Sequence, residues 1–134
     1  MLVKHEIQKI VHQLASGDPL KIALDGADVL IRFIDDSSKV SLSTPVYAGG
    51  NYIPHSVRHG LARLPAFIHE SPMKTTLTID ENHYQVYLHY LGAIHPPLQK
   101  DMQVLLEEFG SLAEKWRLYL DERDKNDLIH VKVE

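Results

Sequence analysis

The chain has 134 residues, a formal charge of −4 with neutral histidines, and no cysteine. A chain of this length fits one ordinary domain and can bury roughly two-thirds of the surface that its unfolded form exposes. The absence of cysteine excludes disulfides, thiolate nucleophiles, zinc fingers and iron–sulfur ligation. The mildly acidic charge argues against nucleic-acid binding, which needs a clustered positive field. We therefore expect a single cytoplasmic domain over residues 1–134, with a short C-terminal tail from about residue 124.

Residues 3–15 predict a short amphipathic helix. Lys4, Glu6 and Lys9 interrupt its apolar residues, a pattern that fits neither a signal peptide nor a membrane span. Gly17 suits the end of this helix, because glycine readily takes the left-handed conformation found there. The apolar face consists of Val3, Ile7, Ile10, Val11 and Leu14.

Three strands are predicted to follow the first helix. Residues 20–24 alternate apolar and polar side chains, and Asp25-Gly26 supplies a tight turn. The nearly continuous apolar run 27–34 predicts a central strand that is covered on both faces. A third strand begins near Val40. Pro45 cannot donate to a ladder, which predicts a position near an edge of the sheet.

A second helix is predicted over residues 54–69, after a loop over residues 47–53. Its apolar positions share one face, but Gly60 weakens the middle of the helix. Pro65 removes an internal hydrogen bond, so we expect it to kink or split the helix.

A hairpin and a long helix complete the chain. Residues 74–80 and 83–91 alternate as two antiparallel strands. The long helix begins near Pro97, runs to about Arg123, and presents charged residues, Arg117 among them, on its solvent face. Residues 128–133 are expected to form a short strand or an ordered tail. The apolar stripe of the helix consists of Leu98, Met102, Leu105, Phe109, Leu112, Trp116 and Tyr119, with Leu106, Ala113 and Leu120 beside it.

The predicted order of elements is α-β-β-β-α-β-β-α. The strands follow one another through short turns, whereas the helices come before, between and after them. This arrangement predicts an α+β two-layer domain, in which helices pack against one face of an antiparallel sheet.

The sequence contains no recognisable catalytic motif. It has neither a glycine-rich phosphate loop nor a serine nucleophile elbow. His55 and His59 have the spacing of a helical pair, but two histidines leave a metal site incomplete. Glu107 and Glu108 are adjacent on a helix and point in different directions. We expect no enzymatic activity, no metal and no cofactor.

The element order and several segments resemble the class I type III secretion chaperones of Gram-negative bacteria. The best local piece is the helix LLEEFGSLAEKWRLYLDE of Leu105 to Glu122, because family members close with a similar helix after a hairpin. The segments ALDGADVLIRFID and KVSLSTPVY resemble the opening strands of the family. The resemblance extends over essentially the whole chain.

The resemblance implies protein binding without catalysis. Such chaperones form dimers and hold an N-terminal segment of a secretion substrate in an extended form. The partner would be a secreted effector or a secretion-apparatus protein, with no nucleic acid and no membrane insertion. For every residue of the two groups that follow, the sequence favours burial in the core, and binding is the other possible role. The candidate peptide-binding residues are Val3, Ile7, Ile10, Leu14, Val40 and Leu42, and the candidate dimer-interface residues are Val57, Leu61, Leu64, Tyr84, Val86 and Leu88.

Several alternatives remain open from the sequence. The family's second helix contributes to the dimer interface, and Gly60 and Pro65 interrupt that helix here. The dimer could therefore contain two copies of this chain or a second, different chaperone. Two other functions are a regulatory adaptor for a transcription or secretion-apparatus protein, and a small-molecule-binding α+β domain that uses the histidines.

Overall fold

The computed structural model describes residues 4–24, 26–34, 38–63, 65–94 and 98–133. The observed order confirms the predicted one, except that two helices replace the single second helix. The helices and strands are α1 (Lys4–Ala15), β1 (Leu20–Leu24), β2 (Ala27–Ile34), β3 (Lys39–Ala48), α2 (His55–Ala62), α3 (Ala66–Glu70), β4 (Thr75–Asp80), β5 (Gln85–Ala93) and α4 (Leu98–Val133).

The five strands form one antiparallel sheet in the order β1-β2-β3-β5-β4. Buried side chains alternate with exposed ones along β2 and with half-buried ones along β3, so the core lies against one face of the sheet. The helices α1 and α4 contact this sheet, and α2 contacts α4. The predicted α+β two-layer architecture is therefore confirmed.

The third strand lies at the centre of the sheet, so the predicted edge position was wrong. β3 pairs with β2 on one side and with β5 on the other. The register with β5 shifts between Pro45 and Tyr47, which leaves Val46 as a bulge. The bulge accommodates the missing N–H of Pro45 inside the sheet. The strand also continues to Ala48, so the predicted loop begins two residues later.

The second strand is covered on one face, where two were predicted. Val29 and Ile31 are buried beneath the helices. Leu30, between them, is 36% exposed, and Arg32 also lies on the open face. A long apolar run therefore did not distinguish a strand buried on both faces from one that exposes a leucine.

Pro65 divides the predicted second helix. Arg63 and Pro65 both have extended backbones, with ψ angles of 148° and 155°, and end α2 and precede α3. The predicted split at Pro65 is confirmed. Gly60 is buried against α4, where an added Cβ would lie 3.3 Å from Cε2 of Tyr119. The glycine thus allows a close approach of the two helices.

The helix α4 carries the largest apolar stripe, as predicted. Leu105 and Tyr119 lie at its margins and are half-buried. The helix continues to Val133, so residues 128–133 are helical, where a strand or tail was expected. No helix in the described ranges is both long and apolar enough to cross a membrane. The buried positions of α4 include Met102, Leu106, Phe109, Leu112, Ala113, Trp116 and Leu120.

Arg117 joins α4 to the bulged strand, and its predicted solvent position was wrong. Its Nε donates to the carbonyl of Pro45 at 3.2 Å, and Nη2 donates to Oγ1 of Thr44 at 3.1 Å. The buried Thr44 hydroxyl donates in turn to the carbonyl of Asp28 at 2.8 Å. These bonds satisfy polar groups that the helix covers.

Candidate functional site

The first strand leaves one backbone edge of the sheet open. Within the described sheet, β1 pairs with β2 alone, from Leu20 opposite Ile31 to Leu24 opposite Ala27. The outward N–H and C=O groups of an edge strand are available to pair with another chain. Only one charged side chain, Lys21, occurs in this strand. The edge therefore has little of the charge that commonly protects edge strands from added strands.

Three apolar side chains follow the open edge. Leu20, Ile22 and Leu24 are half-buried and pack against the core cluster, and we call this group the β1 rim. Lys21 and Ala23 point to the opposite face and are exposed. An extended peptide added beside β1 would place alternate side chains near the β1 rim. The edge thus combines backbone hydrogen-bonding groups with partly exposed apolar surface.

The predicted peptide-binding residues lie together, but inside the core. None of the five described members is more than 6% exposed. Val3 lies outside the described residues. A peptide would contact these side chains only if α1 moved away from the sheet, so their assignment to a binding groove stays a prediction. The buried members are Ile7, Ile10, Leu14, Val40 and Leu42.

The predicted dimer-interface residues fall into two environments. Val57, Val86 and Leu88 have no exposed surface in the isolated chain. Leu61 and Tyr84 are half-buried and pack at the margin of the core. Leu64 lies outside the described residues. The half-buried pair offers surface to a second protein without rearrangement, whereas the interface role of the whole set stays a prediction.

An ion pair links α2 to the turn between β4 and β5. The Arg58 guanidinium donates to both carboxylate oxygens of Glu81, at 2.7 and 3.0 Å, and its Nε donates to the carbonyl of Ile53. The hydrogen bonds from Arg58 hold the pKa of the Glu81 carboxyl below its usual range. This exposed bidentate pair orients the first turn of α2 relative to the hairpin.

The histidines do not assemble a metal site in the part of the chain that the structure describes. His55 and His59 are exposed on α2, with ring centroids 6.1 Å apart. His83 contacts Asp80 in the hairpin turn, with Nδ1 2.8 Å from Oδ2, and this contact lowers the pKa of the Asp80 carboxyl. No group of three or more potential histidine or carboxylate ligands occurs among the described residues.

The open face of the sheet carries polar and aromatic side chains. Nε2 of His89 lies 2.7 Å from the hydroxyl of Thr78, and the His89 ring stacks beside Tyr87. Partial burial lowers the pKa of His89. Leu30 and Leu91 interrupt this polar surface and are 36% and 60% exposed. The open face differs from the β1 rim, because its exposed leucines are isolated from each other and do not form a row.

Sequence reasoning did not identify the β1 rim as exposed. The alternation of residues 20–24 indicated a strand with one apolar face. Exposure of that face depends on the strand's place in the sheet, because an interior strand would have had neighbours on both sides. The sequence offered one signal for this exposure. The strand is short, follows Asp18-Pro19 and is the first of several strands joined by hairpin turns.

Comparison with protein families and with curated proteins gave no match by sequence. Comparison with solved structures gave matches. A chain of the crystal structure of the ExsC–ExsE complex aligns with a TM-score of 0.61 and 14% identity, covering 90% of this chain and 97% of that one.

A second similar structure is the heterodimeric complex ExoU–SpcU from the type III secretion system of Pseudomonas aeruginosa. It aligns with a TM-score of 0.54 and 12% identity, covering 90% of this chain and 99% of the matched chain. At these identities the likeness concerns the fold. The chain has the class I type III secretion chaperone-like fold that the sequence resemblance predicted.

Proposed function

We propose that this protein is a cytoplasmic, non-enzymatic chaperone that binds an extended segment of a type III secretion substrate along the open edge of β1. The observation that carries the proposal is the edge of β1, which pairs with no second strand in the described part of the chain and lies beside the half-buried β1 rim. The chaperone-like fold supports it, since the similar structures are complexes of two different proteins.

The edge accounts physically for binding of a chain that is not folded. Backbone hydrogen bonds to an edge strand form with almost any extended sequence, except at proline. Alternate apolar side chains of the segment would cover Leu20, Ile22 and Leu24, and full burial of one such side chain contributes about 1.5–3 kcal/mol. While its backbone is bonded to β1, the segment cannot form hydrogen bonds with the rest of the substrate protein, so it stays extended.

The test compares matched substitutions on the two edge strands. Ile22 of β1 and Leu77 of β4 are both half-buried and both point towards the core. We expect Ile22→Asp to weaken binding by at least about tenfold, because a carboxylate would oppose apolar contacts, whereas Leu77→Asp retains binding. The probes are overlapping fluorescent peptides from the N-terminal regions of type III secretion substrates, measured by anisotropy.

Three outcomes of this test would contradict the proposal. Equal losses in the two variants would show that binding follows stability, which thermal unfolding of both proteins would report. Selective loss in Leu77→Asp would place the peptide on the opposite edge. Absence of binding by the unsubstituted chain to every peptide would remove the chaperone function itself.

We also propose that the chain dimerises through α2, where Leu61 is half-buried. Light scattering across a concentration series should then give twice the chain mass of 15.3 kDa. Leu61→Asp should shift the protein towards the monomer, whereas Leu118→Asp, at a position 65% exposed on α4, should not. A constant mass of one chain would exclude the homodimer and leave pairing with a different chaperone.

A further inference from the structure

A polar cavity of about 300 Å³ lies between α2 and α4, away from the β1 edge. Ser56 contributes to it from α2, and Tyr119, Glu122 and Arg123 contribute from α4. Binding along β1 uses none of these four residues. The cavity is therefore separate from the proposed peptide-binding edge.

Among the described side chains, which on α4 extend to Lys125, the guanidinium of Arg123 has no ion pair. It lies over the ring of Tyr119, with Cζ 5.1 Å from the ring centroid. The Arg123 stem lies against α2 at Gly60, where an added Cβ would make ordinary van der Waals contact with Cδ and Cγ, at 3.4 and 3.5 Å. The stem and ring contacts orient a charged group that keeps its hydrogen-bonding capacity.

The hydroxyl of Ser56 is the second unused polar group. Its Oγ is buried and has no hydrogen-bond partner in the described part of the protein. Most buried polar side-chain atoms in proteins are paired, and an unpaired one costs about 1–3 kcal/mol. Ser56 and Arg123 thus both line the cavity, and neither has a polar partner among the described side chains, an arrangement that a ligand would satisfy.

We propose that this cavity binds an oxyanion, a carboxylate or phosphate group, with Arg123 as the charged donor and Ser56 as the neutral donor. Guanidinium groups form strong, directional hydrogen bonds with both kinds of oxyanion. Tyr119 positions Arg123 through its ring. Glu122 lines the same cavity, and its negative charge opposes a bound anion, so it limits the affinity of the site.

The test is a titration of the ¹⁵N-labelled full chain, followed by NMR, with inorganic phosphate in one arm and acetate in the other. We expect saturable shifts at Ser56 and at the Arg123 side chain. Arg123→Gln should weaken binding by about tenfold, because it removes a charge-assisted hydrogen bond. Ser56→Ala should weaken it less, and Glu122→Gln should strengthen it by removing the like charge.

Arg63→Gln is the matched control. Arg63 is exposed at the C-terminal cap of α2, and this substitution removes the same charge from the same region. We expect its affinity for either anion to equal that of the unsubstituted chain. Response to phosphate alone would identify a phosphoryl group as the ligand, and response to both anions would identify the shared oxyanion chemistry.

Three results would overturn the proposal. One is an equal effect of Arg63→Gln and Arg123→Gln, which would indicate attraction by net charge alone. Another is unchanged or weaker binding in Glu122→Gln. The third is the absence of saturable shifts at Ser56 and Arg123 in both arms. None of these measurements depends on peptide binding at β1, so the two proposals fail separately.

Discussion

Trp116→Ala should lower the free energy of unfolding by about 3–5 kcal/mol, the range for truncation of a fully buried tryptophan. Trp116 has no exposed surface and lies edge-on to Phe67 and Tyr119, with ring centroids 5.2 and 5.7 Å away. The substitution would empty the space where α3 meets α4. Urea denaturation followed by circular dichroism measures the loss.

Two further variants separate packing from other effects of Trp116→Ala. Leu118→Ala, on the exposed side of the same helix, should change stability by no more than about 0.5 kcal/mol. Trp116→Phe should cost clearly less than the alanine variant, because the indole Nε1 has no hydrogen-bond partner among the described residues. If Trp116→Phe lost as much unfolding free energy as Trp116→Ala, this explanation of the packing around Trp116 would be wrong.

Leu42→Ala should lower the free energy of unfolding by about 2–5 kcal/mol. Leu42 has no exposed surface and lies in the central strand, opposite Ile31 on one side and Tyr90 on the other. The same urea measurement applies. The result matters for function, because Leu42 was predicted to line the peptide groove and its replacement would impair binding through unfolding.

Leu91→Ala serves as the control for Leu42→Ala. Leu91 lies on β5 in the same sheet but points to the open face and is 60% exposed. We expect its replacement to change stability by no more than about 0.5 kcal/mol. If Leu42→Ala were equally mild, the side chain would not be part of a packed core and the groove assignment would regain support.

The local structure of this chain followed from its sequence with few errors. The alternation of residues 74–80 and 83–91 predicted the hairpin, and the three-and-four spacing after Pro97 predicted the long helix. Pro65 predicted the break between α2 and α3. These features depend on neighbouring residues, so periodicity and backbone chemistry are enough to identify them.

Most of the errors concern positions within the sheet, and another concerns the C-terminal segment, where residues 128–133 continue α4. Pro45 suggested an edge, yet a bulge allows β3 to lie at the centre. Arg117 looked like a solvent residue because charged side chains usually are, yet it donates to two groups on β3. A single residue cannot indicate which distant strand will offer it a hydrogen-bond acceptor, since those partners are about seventy positions away in the chain.

The sequence by itself determined the elements, their order, the apolar stripe of α4 and the two-layer architecture, because each follows from short-range patterns of side chains. Only the tertiary structure decided which strand lies at the edge, and hence that Leu20, Ile22 and Leu24 line an open surface while Leu42 is buried. It also brought Ser56 and Arg123 to one cavity. The exposure of a side chain and its distance from other side chains depend on how distant segments of the chain pack together. That packing is determined by many residues at once, so no short stretch of sequence indicates it.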